Sequence, residues 1–353
     1  MKDIERSISG QRVRFGAGIR RATGEELERL AARRALVLST PHQAQMAMEL
    51  ATDLGVQAAG IFTMATMHTP VSVTNDALAH AQTVEADSVV AVGGGSTIGL
   101  GKALALRTGM PQVAIPTTYA GSEATPILGQ TEAGVKTTLK DAKVLPEVIL
   151  YDPELVASLP RAMTVNSSLN AMAHAAEALY AQERDEDSTT LALEGLRAFV
   201  NGLPGVITDL EDLTAREETL HGAWACGTVL GKVGMALHHK LCHTLGGSFD
   251  LPHAETHAII LPHAIHYNAV SVPDLLAPIS DLLDEDEPGM ALWTFAKRLS
   301  APLALKDLGF EEAQIERAIE IALQKPYWNP RDVTADGLRR LLRNAWAGLP
   351  PGT

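Results

Sequence analysis

The twelve histidines are unevenly spread over the 353 residues: seven fall between 238 and 266, in ALHHKLCHTLGGSFDLPHAETHAIILPHAIHY. On a helix His239 and His243 lie one turn apart on one face, and Gly246-Gly247 would allow a bend that returns His253 toward them. Earlier, Asn170 and His174 repeat the four-residue spacing, so helix packing would set an amide and an imidazole opposite the later histidines. His238, His257, His263 and His266 read as surface groups or as core imidazoles with satisfied partners. Three imidazoles and a carboxylate would make a strong zinc or iron site. Here the companion donor is an amide, which is neutral and weaker, and the charge that would offset a dication is lost. Proton transfer and hydrogen bonding by imidazole are favoured, with a divalent metal on the same residues as the alternative.

A second concentration of chemistry lies in the first half. The run SVVAV leads into Gly93-Gly94-Gly95-Ser96 and then into TIGLGKALAL, in the order strand, tight turn, helix. Glycines let the backbone approach closely, and the N–H groups and dipole of a helix start favour a diphosphate. Ser96 would cap the helix or bond a phosphate. After the next apolar run, QVAI, the segment from Pro116 to Glu123 offers Thr117, Thr118 and Ser122 at a strand's C-terminal end, where open α/β sheets bind ligands. Two such elements suggest one dinucleotide. At the end of an earlier strand an acid would bond the adenosine ribose and repel a 2′-phosphate. Ser39-Thr40 stands there instead, which predicts use of both NADH and NADPH. Lys136, Lys140 and Lys143 would pair with an anionic substrate or lie exposed on a hairpin, with Lys140 the preferred residue. His68 and Tyr119 are further pocket candidates.

These residues need elements to hold them. From Gln11 to about Asp152, β-type runs (ALVLS, QAAGIF, SVVAV, QVAI, EVILY) alternate with helix-type runs, which predicts a parallel βαβ sheet. After Asp152-Pro153 long Ala- and Leu-rich stretches take over. The expected fold is α/β plus all-α: a Rossmann-like domain over 1–155 and a helical domain over 156–353. The acidic runs at 183–187 and 281–287 read as solvated turns. Apolar residues make up 46% and charged residues 20%, an ordinary globular balance. The formal charge of −13 repels phosphate backbones and anionic membranes, so neither is an expected partner. Two cysteines are too few for a disulfide framework, and neither an N-terminal h-region nor a run of eighteen apolar residues is found. A cytoplasmic protein is expected.

In order along the chain, GGGS, TTYAGSEAT, NAMAH and HHKLCHTLGGSFDLPHAETHAIILPH resemble the iron-containing alcohol dehydrogenase superfamily, over nearly the full length. MHTPVSVT, GGGSTIGLGKALAL, GVKTTLKDAKVLP, NSSLNAMAHAAEALYA and LPHAETH are more similar to its maleylacetate reductase branch than to any other. The resemblance implies a dehydroquinate synthase-like pair of domains with a cleft between them, and a homodimer. It carries the ligands of metal-using relatives, an aspartate and three histidines, onto Asn170, His174, His239 and His253, the first departing from the pattern. A family acid three residues after GGGS is Gly99 here. The implied substrate is maleylacetate, a small dicarboxylate with an alkene conjugated to a ketone, reduced to 3-oxoadipate in aromatic catabolism. Hydride would enter beta to the ketone, leaving an enolate that needs hydrogen-bond donors and then a proton. His243 is the expected proton donor, with His239, His174 and His253 shaping the pocket. Competing readings are a metal-dependent alcohol or polyol dehydrogenase and a dehydroquinate-synthase-like lyase that returns its hydride within each cycle.

Overall fold

A strand run that is apolar throughout must be covered on both faces, and ALVL, VVAV, VAI and VIL of the first half meet that condition. The computed structural model describes every residue except 1–3, 9 and 326. Its elements begin with β1 (Ile4–Ile8), β2 (Gln11–Phe15), α1 (Thr23–Arg29), β3 (Ala35–Leu38), α2 (Ala44–Leu54), β4 (Ala58–Phe62) and α3 (Val71–Thr83). There follow β5 (Ser88–Gly93), α4 (Gly95–Thr108), β6 (Gln112–Pro116), β7 (Ile127–Glu132), β8 (Val135–Lys140), β9 (Val148–Tyr151) and the short α5 (Pro153–Val156). Seven strands form one sheet in the order β1-β2-β9-β6-β5-β3-β4, parallel except for β1.

The two-residue period sends alternate side chains to opposite faces. Ala35, Val37, Val90, Val92, Val113 and Ile115 join Leu27 of α1 and Leu50 of α2 in one core. Leu36, Leu38 and Val89 join Ala77 and Ala81 of α3 and Leu100 and Leu104 of α4 in the other. β7 and β8 stand apart as an antiparallel hairpin, closed by Ala133 and Gly134, both left-handed (φ 49 and 79). That geometry suits a two-residue turn because it matches the twist of the strands.

The remaining helices are α6 (Arg161–Ala178), α7 (Glu186–Thr208), α8 (Leu213–Lys232), α9 (Leu237–Phe249), α10 (His253–Ala269), α11 (Pro273–Leu283), α12 (Pro288–Arg298), α13 (Ile315–Gln324) and α14 (Ala335–Ala347). Two compact units result: Met1–Leu159 with Leu210–Gly227, and Pro160–Asp209 with Thr228–Thr353. Segment 210–227 is fastened into the first unit by Arg216, fully buried, which donates to the carbonyls of Leu210, Ala157 and Leu159 and to the Tyr119 hydroxyl.

In the second unit α6 is buried on almost every side from Thr164 onward, as befits a central helix, and packs on α7 and α10. Leu237, Leu241 and Leu245 form the core stripe of α9, against Ile259, Ile260 and Ala264 of α10. His239 and His243 are thereby turned away from that stripe. Both acidic runs are turns with capping roles: Asp185 closes a capping box with Ser188, and Glu287 accepts from the N–H groups of Gly289 and Met290. The expected bend at Gly246-Gly247 is displaced. The pair stays helical, and the chain turns at Asp250, left-handed at φ 55, before Pro252 caps α10. No helix among the described residues is long and apolar enough to cross a membrane.

Candidate active site

The first unit holds a cradle for an anion. β5 ends at Gly93, Gly94 is extended, and α4 begins at Gly95 with no side chain bonded to its start. Ser96 lies in the first turn and does not cap it, so the leading N–H groups remain open to a ligand. The glycines are required by close approach. A Cβ at Gly93 would fall 2.4 Å from Thr97 Oγ1 and 2.8 Å from Gln43 Oε1, and one at Gly94 would fall 3.0 Å from Thr118 Cγ2. Gly93 pairs with Pro116 in the sheet, and Thr117 N–H donates to Gly93 O at 3.1 Å, which sets Thr117 and Thr118 beside the turn.

Two residues that sequence reasoning missed complete the cradle. Gln43 Nε2 donates to Thr117 Oγ1 at 2.6 Å while its Oε1 accepts from Thr40 at 3.2 Å, joining the ends of β3 and β6. Thr97 Oγ1 is buried against Gly93 with no protein partner. The expectation for Ser39 is corrected. It is fully buried, its hydroxyl donates to the Thr40 carbonyl, and its backbone bonds Phe62 and Ala65, so Thr40 and Gln43 present the end of β3 instead. Tyr119 is corrected likewise: it is fully buried, and its hydroxyl accepts from Arg216 at 3.1 Å and Thr219 at 3.0 Å, which makes it core. Ser122 offers its carbonyl inward, to Lys102 and to the Thr125 hydroxyl.

His68 is exposed and, like the next residue, left-handed (φ 65 and 45). Thr69 is buried, with Oγ1 2.4 Å from where a Cβ at residue 99 would lie, so Thr69 fills the space of a side chain at Gly99. Lys136 and Lys140 lie on the exposed strand β8, and Lys143 is exposed just beyond it.

The second unit gathers the imidazoles. Asn170, His174 and Glu177 follow one another along α6 at spacings of four and three, on one face. Glu177, fully buried, accepts from the N–H groups of Ala236 (2.9 Å) and His238 (2.8 Å) at the start of α9, and from His239 Nδ1 at 2.7 Å. It caps α9, which has no cap of its own, and its bond to Nδ1 leaves His239 Nε2 as a lone pair. Burial pushes Glu177 up, against the pull of its donors. Glu177 was legible in principle, since it continues the stripe that Asn170 and His174 begin.

Ring centroids of His174 and His239 stand 5.1 Å apart, those of His239 and His243 6.1 Å, and those of His239 and His257 5.1 Å. His253 stands 4.2 Å from His257 and so belongs to the group. His174 and His239 are buried; His243 and His253 lie on exposed positions of α9 and α10. His257 was read as a surface or satisfied imidazole and is neither: it is buried, with no protein partner for either ring nitrogen. Its spacing of four from His253 was the available signal. His238 is a satisfied core imidazole, donating from Nε2 to the His257 carbonyl at 3.0 Å. His263 is buried with Nε2 lacking a protein partner, whereas His266 lies 3.2 Å from Glu287. Burial holds His238 and His239 down to about 3, and His174 and His257 well below the usual imidazole value. These four are neutral at working pH and act as hydrogen-bonding groups without charge.

Asn170 Oδ1, His174 Nδ1 and His239 Nε2 are buried without protein partners, which leaves them available to a ligand. A metal on Asn170, His174, His239 and His253 would meet only neutral donors, because the adjacent carboxylate, Glu177, faces the far nitrogen of His239. Among the described residues the ring nitrogens that converge within 4.8 Å are those of His238, His239 and His257, again all neutral. Neither set offers the anion that would offset a dication.

Residues 10–153 match the family described as iron-containing alcohol dehydrogenase, and residues 164–346 match the C-terminal region of the Fe-containing alcohol dehydrogenase family. Maleylacetate reductase from Rhizobium sp. strain MTP-10005 is 55% identical over 96% of this chain and 97% of its own. The crystal structure of maleylacetate reductase from that strain superposes with a TM-score of 0.95 at 53% identity, covering 99% of each chain. That of maleylacetate reductase from Agrobacterium tumefaciens gives 0.96 at 52%, covering 99% of this chain and 100% of the other. The chain belongs to the iron-containing alcohol dehydrogenase family of oxidoreductases and, within it, to the maleylacetate reductase branch.

Proposed function

We propose that this protein reduces the carbon–carbon double bond of maleylacetate to 3-oxoadipate with NADH or NADPH, and that it needs no metal to do so. The observation that carries the reading is an imidazole pocket without an anionic donor, built by Asn170, His174 and His239, in a chain 55% identical to a maleylacetate reductase. The dinucleotide, when bound, supplies the hydride. The first turn of α4 would hold its diphosphate, with Thr97, Thr117 and Thr118 around it. Thr40 and Gln43 at the end of β3 offer no carboxylate to repel a 2′-phosphate, which supports use of both cofactors. A preference for NADH beyond about a thousandfold in kcat/KM would overturn that part.

Hydride addition beta to the ketone turns the substrate into an enolate, whose oxygen needs a donor and whose carbon needs a proton. His239, with its proton held on Nδ1 by Glu177, accepts at Nε2, so it orients and does not protonate. The proton donor is then His243, one turn further along α9, with His174 and His253 shaping the pocket. Lys140, with Lys136, Lys143 and His68, would meet the carboxylates. The homodimer implied by the family resemblance would show in light scattering as twice the chain mass.

The test is nicotinamide absorbance followed with maleylacetate, with and without EDTA. Net oxidation unaffected by the chelator is expected. Turnover abolished by EDTA and restored by zinc, iron or manganese would establish the metal-dependent reading. Binding of NADH without net consumption would point to the lyase.

A further inference from the structure

Lys102 stands two turns into α4, fully buried, and no step above uses it. Its Nζ donates to the carbonyls of Ser122, Thr125 (2.7 Å) and Ile127 (2.9 Å) and to Thr125 Oγ1 (3.1 Å). An ammonium has three protons, so these acceptors saturate it. The acid that acts on it electrostatically, Glu123, is itself engaged: its carboxylate accepts from Tyr151 at 2.8 Å, and its carbonyl accepts from Gln11 at 3.0 Å. Burial pushes the amine down to about 7, and Glu123 pulls the other way. Burying such a group is costly unless every proton is bonded, and here every bond runs from the helix of the anion cradle to the segment that follows β6.

We infer that Lys102 is a positioning residue for the dinucleotide: by bonding Ser122, Thr125 and Ile127 it holds the Thr117–Ser122 segment in register with the Gly93–Ser96 turn. Without it the Thr125 and Ile127 carbonyls lose this donor, while the Ser122 carbonyl keeps only the Thr125 hydroxyl and N–H, and the segment has to rearrange to satisfy them. The role acts on cofactor affinity, and it rests on the reading that these two segments hold the dinucleotide.

The test compares Lys102→Met, which keeps the apolar stem and removes the ammonium, with Thr125→Val, which removes one acceptor of Lys102 and one donor to the Ser122 carbonyl. NADH affinity is read by fluorescence titration, substrate KM by turnover and folding by thermal melting. Lys102→Met is expected to weaken NADH binding by at least about tenfold with substrate KM within about twofold, and Thr125→Val by about threefold with melting near wild type. Wild-type NADH affinity in either folded variant overturns the inference, as does a loss of stability with the affinity of the folded fraction unchanged. Should Lys102→Met fail to fold, Thr125→Val decides. A wild-type protein that binds no NADH would instead sink the cofactor reading, whereas one that binds NADH but ignores maleylacetate leaves this inference standing.

Discussion

The segment after β6 and the imidazole pocket are buried to similar degrees, and they treat their polar groups in opposite ways. Around the first, Lys102 saturates the carbonyls of Ser122, Thr125 and Ile127, Tyr151 bonds Glu123, Gln43 bonds Thr117, and Arg216 bonds Tyr119. In the second, Asn170 Oδ1, His174 Nδ1, His239 Nε2 and both His257 nitrogens have no protein partner. An unmatched buried polar atom costs about 1–3 kcal/mol, against a total stability on the order of 5–15 kcal/mol. Five of them are too many for a region whose only duty is to be stable. The matched region is a mould that holds its shape; the unmatched one keeps polar atoms open to a ligand, in line with the proposed substrate pocket. Thr97 Oγ1, buried against Gly93, is the exception beside the cradle.

The sharpest way to break this contrast is His243→Ala. With the proton donor gone, kcat should fall by about 10²–10⁴ while NADH affinity stays within about twofold; wild-type turnover would remove His243 from the mechanism. The reverse pattern is expected from Gly93→Ala, whose Cβ would collide with Thr97 and Gln43. NADH binding should weaken by about ten- to a hundredfold, measured by titration of the folded protein, with a lowered melting temperature from the overpacked turn.

Acidification should separate the two units next. His174, His238, His239, His257 and His263 are held by burial below their unfolded value of 6.5. As pH falls through 6.5 toward about 3 the unfolded chain takes up protons that the folded chain refuses. Each imidazole then removes up to about 1.4 kcal/mol of stability per pH unit. Glu123, Glu177 and Glu217, raised by burial, work the other way, since the folded state keeps protons that the unfolded state gives up, but they are three against five. Amide exchange should therefore lose protection in α6, α9 and α10 before the parallel sheet as pH is lowered from 6.5 to 5; simultaneous loss in both units would contradict the contrast. The smallest effect belongs to the exposed hairpin. Lys140→Ala should raise substrate KM by about threefold with kcat nearly unchanged, because a solvated lysine contributes little to an ion pair.

Much of the scaffold was legible because it depends on neighbours along the chain. Apolar runs identified the five strands β3 through β6 and β9, and the glycine turn declared the cradle. β1 was missed because it is exposed and carries no buried face, and the β7–β8 hairpin could be read only as one outcome for its lysines. In the pocket, the pairs Asn170 with His174 and His239 with His243 followed from helical pitch. His257 was misjudged because an isolated imidazole is more often structural than functional.

What the sequence determined by itself is what a local period can express: which face of a strand or helix a residue takes, and where glycine lets the backbone turn. Only the tertiary structure decided that Glu177 grips Nδ1 of His239, that Gln43 reaches Thr117, that Ser39 and Tyr119 turn inward, and that Lys102 joins α4 to the segment after β6. Those choices depend on how separate elements pack, and packing is settled by all the side chains at an interface together.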